Sequence, residues 1–420
     1  MIVIIFIMID IILAITIGIL LGIVTGLTPG LHVNTVGLII FSVSDKILDS
    51  TSPLTLCSFF VSISLCHAML EFIPSILMAI PDEDTILCIQ PGHRLLFEGK
   101  SKKAIRIVSF GGYLSIILLI IIMPVLMILL PTIYNLLKDY IGILLILTII
   151  LMLIFYGKDN KTRLKNSLIF LLSGILGLTV LRSNLSSNIG LLAILSGLFS
   201  ISSLLYSINK NSSIPPQEDD KTFLINRKFL KSTFAGSISG CILGLLPGLG
   251  PAQGTMISQS ITLNKSVSSE EFLITNSGVN ISDTLFSLIA IYLINNPRSA
   301  ISVYINNILS NIGITHIVFF IFISLITVSV CCILSIRIGD RLINNMQKIR
   351  YKKLNTFIII LISLIIITFS IYANSPLWYV LLTYITSIAL GLIVNYADLN
   401  KSYLMGVLIV PSIITYLGLF

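Results

Sequence analysis

The chain carries one glycine ladder twice. Gly18, Gly22, Gly26, Pro29, Gly30 and Leu31 form the first; Gly236, Gly240, Gly244, Pro247, Gly248 and Leu249 form the second. Every pair is separated by the same interval, 248 − 30 = 218 positions. Both ladders lie in apolar segments and both end in a helix breaker. Proline removes a backbone donor and glycine frees the backbone, so Pro29-Gly30 and Pro247-Gly248 interrupt any helix that contains them. Two apolar segments broken by Gly and Pro at corresponding places in two halves of a chain point to the binding site of a membrane transporter.

Composition supplies the solvent. The 420 residues are 55% hydrophobic and 10% charged, with a mean hydropathy of +1.03. A soluble domain carries about 25% charged residues. This chain is expected to be an all-α, polytopic, multi-pass protein of the cell membrane, with two internal repeats, broken or re-entrant helices, and roughly ten to twelve membrane segments. The net charge of +8 is not a nucleic-acid footprint, because the basic residues cluster in short loops, Lys158 to Lys165 and Arg337 to Lys353. Such loops are cytoplasmic by the positive-inside rule. Met1 to Ile9 has no basic flank and reads as a retained span. The six cysteines read as buried thiols, and no metal-binding spacing occurs among Cys and His. The expected division is a first repeat over 1–208, a polar linker over 209–228 containing Pro215, Pro216 and three acidic residues, and a second repeat over 229–420.

Candidate functional residues gather at the breaks. A half-helix N-terminus at membrane depth offers donors and partial positive charge to an anion. The substrate-binding candidates are therefore Pro29, Gly30, His32, Asn34 and Thr35 after the first break, and Pro247, Gly248, Gly250, Gln253 and Thr255 after the second. The alternative use of the four-residue glycine spacing is close helix packing. Ionisable groups within spans are the candidates for coupling or gating: His67 and Glu71, four apart on one helix face, Asp82 in the acidic triplet Asp82-Glu83-Asp84, Asp283, and Arg298 at a turn. A second likeness between the halves pairs His67 and Glu71 with Asn280 and Asp283. The polar stretches Pro81–Lys103 and Asn264–Glu271 read as loops, and Val303–Ile336 as a long span that can hide a break. Catalytic motifs are lacking in the spans, so an enzyme is not expected, and no cofactor is implied beyond Na+ or H+ as a coupling ion.

Gly26-Leu-Thr-Pro-Gly-Leu31 and Gly244-Leu-Leu-Pro-Gly-Leu-Gly-Pro251, with Ile80-Pro-Asp-Glu-Asp-Thr85 and Gly99-Lys-Ser-Lys-Lys-Ala104, resemble the large membrane subunit of the tripartite tricarboxylate transporters. The chain looks most like the archaeal branch of that family. The resemblance implies ion-coupled uptake of small organic anions such as di- and tricarboxylates, with a small membrane subunit and an extracytoplasmic binding protein as partners. The acidic triplet departs from the family pattern and would repel a carboxylate if it lay in the site. A more distant resemblance is to the polyprenyl-phosphate transporters, which makes a flippase for a lipid carrier phosphate the alternative.

Overall fold

A computed structural model of the chain describes residues 2–29, 31–78, 85–156, 159–208, 215–220, 222, 225–244, 246, 249–262, 268–309, 311–345 and 351–419. Gly30, Asp82, Glu83, Asp84, Pro247 and Gly248 lie outside the described residues. The first half contains α1 (Ile2–Leu27), α2 (Val33–Ser42), α3 (Pro53–Met78, with one turn position at Glu71), α4 (Ile89–Phe97), α5 (Ser101–Leu137), α6 (Ile141–Tyr156), α7 (Asn160–Leu181) and α8 (Ser187–Ile208, π-helical over Ser196–Ile201). The second contains α9 (Arg227–Leu243), α10 (Pro251–Thr262), α11 (Ser269–Ile294), α12 (Ala300–Ile308), α13 (Ile314–Asn345), α14 (Tyr351–Tyr372), α15 (Leu377–Tyr396) and α16 (Gly406–Tyr416). Among the described residues, nine helical stretches are long and apolar enough to span a membrane.

The ladder glycines exist to let α1 lie against α3 and α9 against α11. A Cβ on Gly18 would meet the Phe59 carbonyl at 2.8 Å; one on Gly22 would meet Cys66 Cβ at 2.5 Å; one on Gly26 would meet Leu70 Cβ at 2.9 Å. In the second half, a Cβ on Gly236 would meet the Thr275 carbonyl at 2.5 Å and one on Gly240 would meet Ser282 Cβ at 2.5 Å; Gly244 lies against the Phe286 ring. The contacts repeat residue for residue. Phe59, Cys66 and Leu70 stand where Thr275, Ser282 and Phe286 stand. His67 therefore corresponds to Asp283, not to Asn280 as the sequence likeness suggested. Both glycine series advance together with the partner helix, so each pair is parallel. Hence α1–α2 and α9–α10 are re-entrant hairpins, each returning to the face it entered from.

The direction of each half follows from side-chain pairs. The Ser62–Thr327 hydrogen bond (3.2 Å) and the Cys66–Cys331 contact make α3 parallel to α13. Arg106–Asp340 and Ser109–Ser335 make α13 antiparallel to α5. Lys103–Glu270 and the approach of Gly111 to Ile274 make α5 parallel to α11. It follows that α3 and α11 are antiparallel and that the two hairpins enter from opposite faces.

One face gathers the charge. Lys102 pairs with Asp219 at 2.8 Å, Lys103 with Glu270 at 2.6 Å, and Arg106 holds Asp340 through both oxygens at 2.8 and 2.6 Å. There, too, Lys100 hydrogen-bonds Glu98 and holds its carboxyl below the ordinary range. Among the described residues, the basic side chains on the opposite face are Lys46, Lys138, Arg182 and Arg298, and all the others lie with this cluster or follow from it by alternation of the helices. The positive-inside rule makes the charged face cytoplasmic. The α1–α2 hairpin then enters from outside and the α9–α10 hairpin from the cytoplasm.

Two loop expectations change and a third holds. Residues 89–97, placed in a loop, form α4, because Leu95 and Leu96 fall together and bury while Arg94 and Phe97 face out. Glu270 and Glu271 belong to α11, where Ser268 and Glu271 form a reciprocal capping box. The stretch 303–336 does hold a break, between α12 and α13.

Two outcomes test this arrangement. Gly22→Val and Gly240→Val overpack the hairpin seams and should each cost about 1–3 kcal/mol; thermal unfolding in detergent should show both far below Gly313→Ala, whose Cβ would meet nothing nearer than 3.9 Å. Single cysteines at exposed Asp45 and Lys353 should react with a membrane-impermeant maleimide from opposite sides, since the six native thiols are buried. Labelling of both from one side would reject the opposed hairpins.

Candidate functional site

Hydrocarbon offers no partner to a freed backbone group, so each break needs local satisfaction. In the first, Leu31 N–H donates to the Thr28 carbonyl at 3.1 Å, and buried Pro29 lies between them. His32 is the N-cap of α2: its Nδ1 accepts from the Asn34 N–H at 3.1 Å. An accepting Nδ1 carries no proton, so the ring's proton is on Nε2. In the second, Pro251 opens α10 and the Gln253 Oε1 reaches back to accept from the Gly250 N–H at 3.0 Å. Both short helices are therefore capped by a side chain that the sequence marks as a substrate-binding candidate. α2 has ten residues and α10 twelve. At about 1.5 Å per residue they measure about 15 and 18 Å, so helices entering from opposite faces meet near the middle of a core about 30 Å thick.

The α3–α11 crossing joins the two breaks. The His32 and His67 rings stand 5.1 Å apart, centroid to centroid. His67 Nε2 lies 3.7 Å from Glu71 Oε2. Glu71 Oε1 accepts a hydrogen bond from Asn280 Nδ2, which also donates to the Ala68 carbonyl at 3.1 Å. One turn along α11, Asn276 Nδ2 donates to Thr255 Oγ1 at 2.7 Å, and Asn276 Oδ1 accepts from the Cys88 thiol at 3.0 Å. A buried polar seam thus runs from α2 through α3 and α11 to α10, with His67, Glu71, Asn276 and Asn280 all within 3% of fully buried.

A cavity of about 620 Å³ of empty space, its mouth included, opens on the outer side of this seam. His32, Asn34, Thr35 and Leu38 of α2 form one wall, and Asn188, Leu191, Leu192, Leu195 and Ser196 of α8 form the other, with Ala300 and Phe369 beside them. The cytoplasmic counterpart is packed. Leu249, Ala252 and Met256 are buried in one cluster with Tyr403, Leu404 and Met405. Gln253 and Thr255 are wholly buried there, and among the described residues the Gln253 Nε2 has no hydrogen-bond partner.

The other candidates separate from the seam. Asp283 is half-buried on α11 against Gly240 of α9. Arg298 precedes Ala300, but its guanidinium lies 5.6 Å over the Tyr134 ring and donates to Tyr416 Oη at 3.3 Å, tying α5 to α16. Among the described residues no cluster of three or more His, Cys, Asp or Glu suits a metal ion. The residues that sequence reasoning missed are Asn188, Ser196 and Cys88; no local signal marks them, because their importance comes from which helix faces which.

The family model of the tripartite tricarboxylate transporter TctA family matches residues 12–406. An uncharacterized protein of the archaeon Methanocaldococcus jannaschii is 31% identical over 368 residues, which is 86% of this chain and 88% of that protein. No solved structure matches the chain. The match over nearly the whole length, on a multi-pass helical membrane protein, places the chain in the tripartite tricarboxylate transporter TctA family, as a membrane transporter component.

Proposed function

We propose that this chain is the substrate-conducting permease of an ion-coupled uptake system for small organic anions bearing carboxylates. The observation that carries the reading is the outer cavity, whose inner wall is the first turn of a re-entrant helix. There Asn34 and Thr35 present neutral donors beside the α2 N-terminus, and Asn188 faces them from α8. Hydrogen-bond donors at a helix N-terminus suit a carboxylate without a fixed cation. Leu191, Leu192, Leu195 and Phe369 suit the carbon skeleton.

The halves 1–208 and 229–420 are, in this reading, inverted repeats joined by 209–228. The ladder contacts that recur at matching residues and the antiparallel α3 and α11 support it. So does the asymmetry between the hairpins: α2 faces an open cavity while α10 is packed, which is what alternating access requires of one state. Gly30, Pro247 and Gly248 complete the breaks by sequence alone. Gly250 and Gln253 hold the second hairpin in its closed form, and Thr255 links it to Asn276. A small membrane subunit and an extracytoplasmic binding protein are the partners that this function implies.

Radiolabelled citrate and succinate in proteoliposomes test the reading. A hydrogen bond to a charged group contributes about 1.5–3 kcal/mol. Thr35→Val should therefore raise the apparent KM for the transported anion about tenfold or more, with protein level unchanged. Uptake of neither anion, together with flipping of a polyprenyl phosphate, would replace this reading by the lipid-carrier one.

A further inference from the structure

The buried pair at the centre of the seam has chemistry that anion binding does not use. Glu71 is a carboxyl group at membrane depth, His67 faces it at 3.7 Å, and His32 joins His67 to the cavity wall. An ionisable group there is expensive to hold and marks a transport role. Hard cations take shells of oxygen ligands; two imidazoles in line with one carboxylate are instead a set for carrying a proton.

We propose that the His67–Glu71 pair binds the proton that drives uptake, received from the outer cavity by way of His32. This deepens the permease reading and rests on it. His32 takes the incoming proton on Nδ1, releasing the Asn34 N–H as it does so, and gives up the proton already on Nε2. It passes to His67 and is held between His67 and the Glu71 carboxylate. The pair carries one negative charge when empty and none when loaded. Asn280 reads the difference: it donates to Glu71 from the opposite half of the molecule. A hydrogen bond to an ionised acceptor is roughly twice as strong as one between neutral groups. Loading therefore loosens the α3–α11 crossing as it removes the buried charge, and both changes favour movement of one half past the other.

Among the described residues, α2 brings His32, the segment before α4 brings the Cys88 thiol within electrostatic reach of Glu71, and α11 brings Asn280, with Asp283 one turn on against α9. On the side of α1 and α5, Gly26 and Gly112 are the residues against this stretch of α3.

The test compares wild-type protein with Glu71→Gln and His67→Gln in proteoliposomes, with the membrane potential clamped at zero. Gln retains an oxygen for Asn280, and size-exclusion and thermal melting confirm that the variants fold. An inward gradient of one pH unit should drive about tenfold accumulation of labelled citrate or succinate per coupled proton in wild type. Both variants should show no accumulation above equilibrium while still exchanging external for internal anion. Infrared difference spectra, titrated against pH, should show a protonated-carboxyl band in wild type that Glu71→Gln lacks. Accumulation driven by a sodium gradient and not by the pH gradient overturns the proposal, as does full pH-driven accumulation by Glu71→Gln. If neither anion is transported, the permease reading fails, and the infrared band alone decides: its loss in Glu71→Gln supports a proton site, and its persistence overturns one.

Discussion

A chain that stops being helical in the middle of a membrane frees polar backbone where no water can reach it, and the rest of this molecule is arranged to bury that backbone. The glycine ladders are the means. They bring α1 within contact of α3 and α9 within contact of α11, so the ends of α1 and α9 that lead into the breaks lie against protein and not against lipid tails. The side chains then finish the work locally, His32 in one hairpin and Gln253 in the other. Without close packing the breaks would be exposed; without the breaks the close packing would only make an ordinary helix pair.

The opposed direction of α3 and α11 has a consequence at the centre. Helices that start on opposite faces cross with their middles together, whatever their sequences. The polar residues of each half are therefore presented to the other at one depth. Glu71 meets Asn280 across this crossing, and Cys88 meets Asn276. The short helices exchange in the same way: α12 of the second half covers α2 of the first, with Ile301 and Tyr304 against Gly37, while α4 and the turn before it pack on α11. The halves are bound by their polar centres as well as by their apolar cores.

The sequence made the breaks, the membrane setting and the pairing of His67 with Glu71 legible, because each depends on local spacing or composition. Proline and glycine act within a few residues, and an i, i+4 pair needs only a helix. What it could not reveal is the position of α8. Asn188 and Ser196 look like ordinary polar residues in an apolar span, and they matter only because α8 faces α2 across a cavity. Arg298 misled for a related reason. Its place at a turn suggested an anion, yet Tyr134 and Tyr416, 164 and 118 positions away in sequence, occupy its guanidinium. The likeness of His67 to Asn280 failed by three residues, since the apolar pattern around them is too uniform to fix a register that steric contact at Gly22 and Gly240 does fix.

The difference between the two hairpins bears most directly on transport. Each is capped by one side chain, His32 ahead of its helix and Gln253 within its own, but one helix faces open space and the other is sealed by Tyr403, Leu404 and Met405. Sequence alone gives no reason for that asymmetry, since the ladders are matched residue for residue. Two similar halves in one chain cannot both be open without a leak through the membrane. A structure built from opposed, similar hairpins therefore has two equivalent ways to be asymmetric, and in the described one the space lies beside α2. The buried Gln253 Nε2, without a partner among the described residues, is what the second way would expose to the cytoplasm. There it would stand as Thr35 now stands toward the outside, a donor at the first turn of a re-entrant helix, facing a cavity.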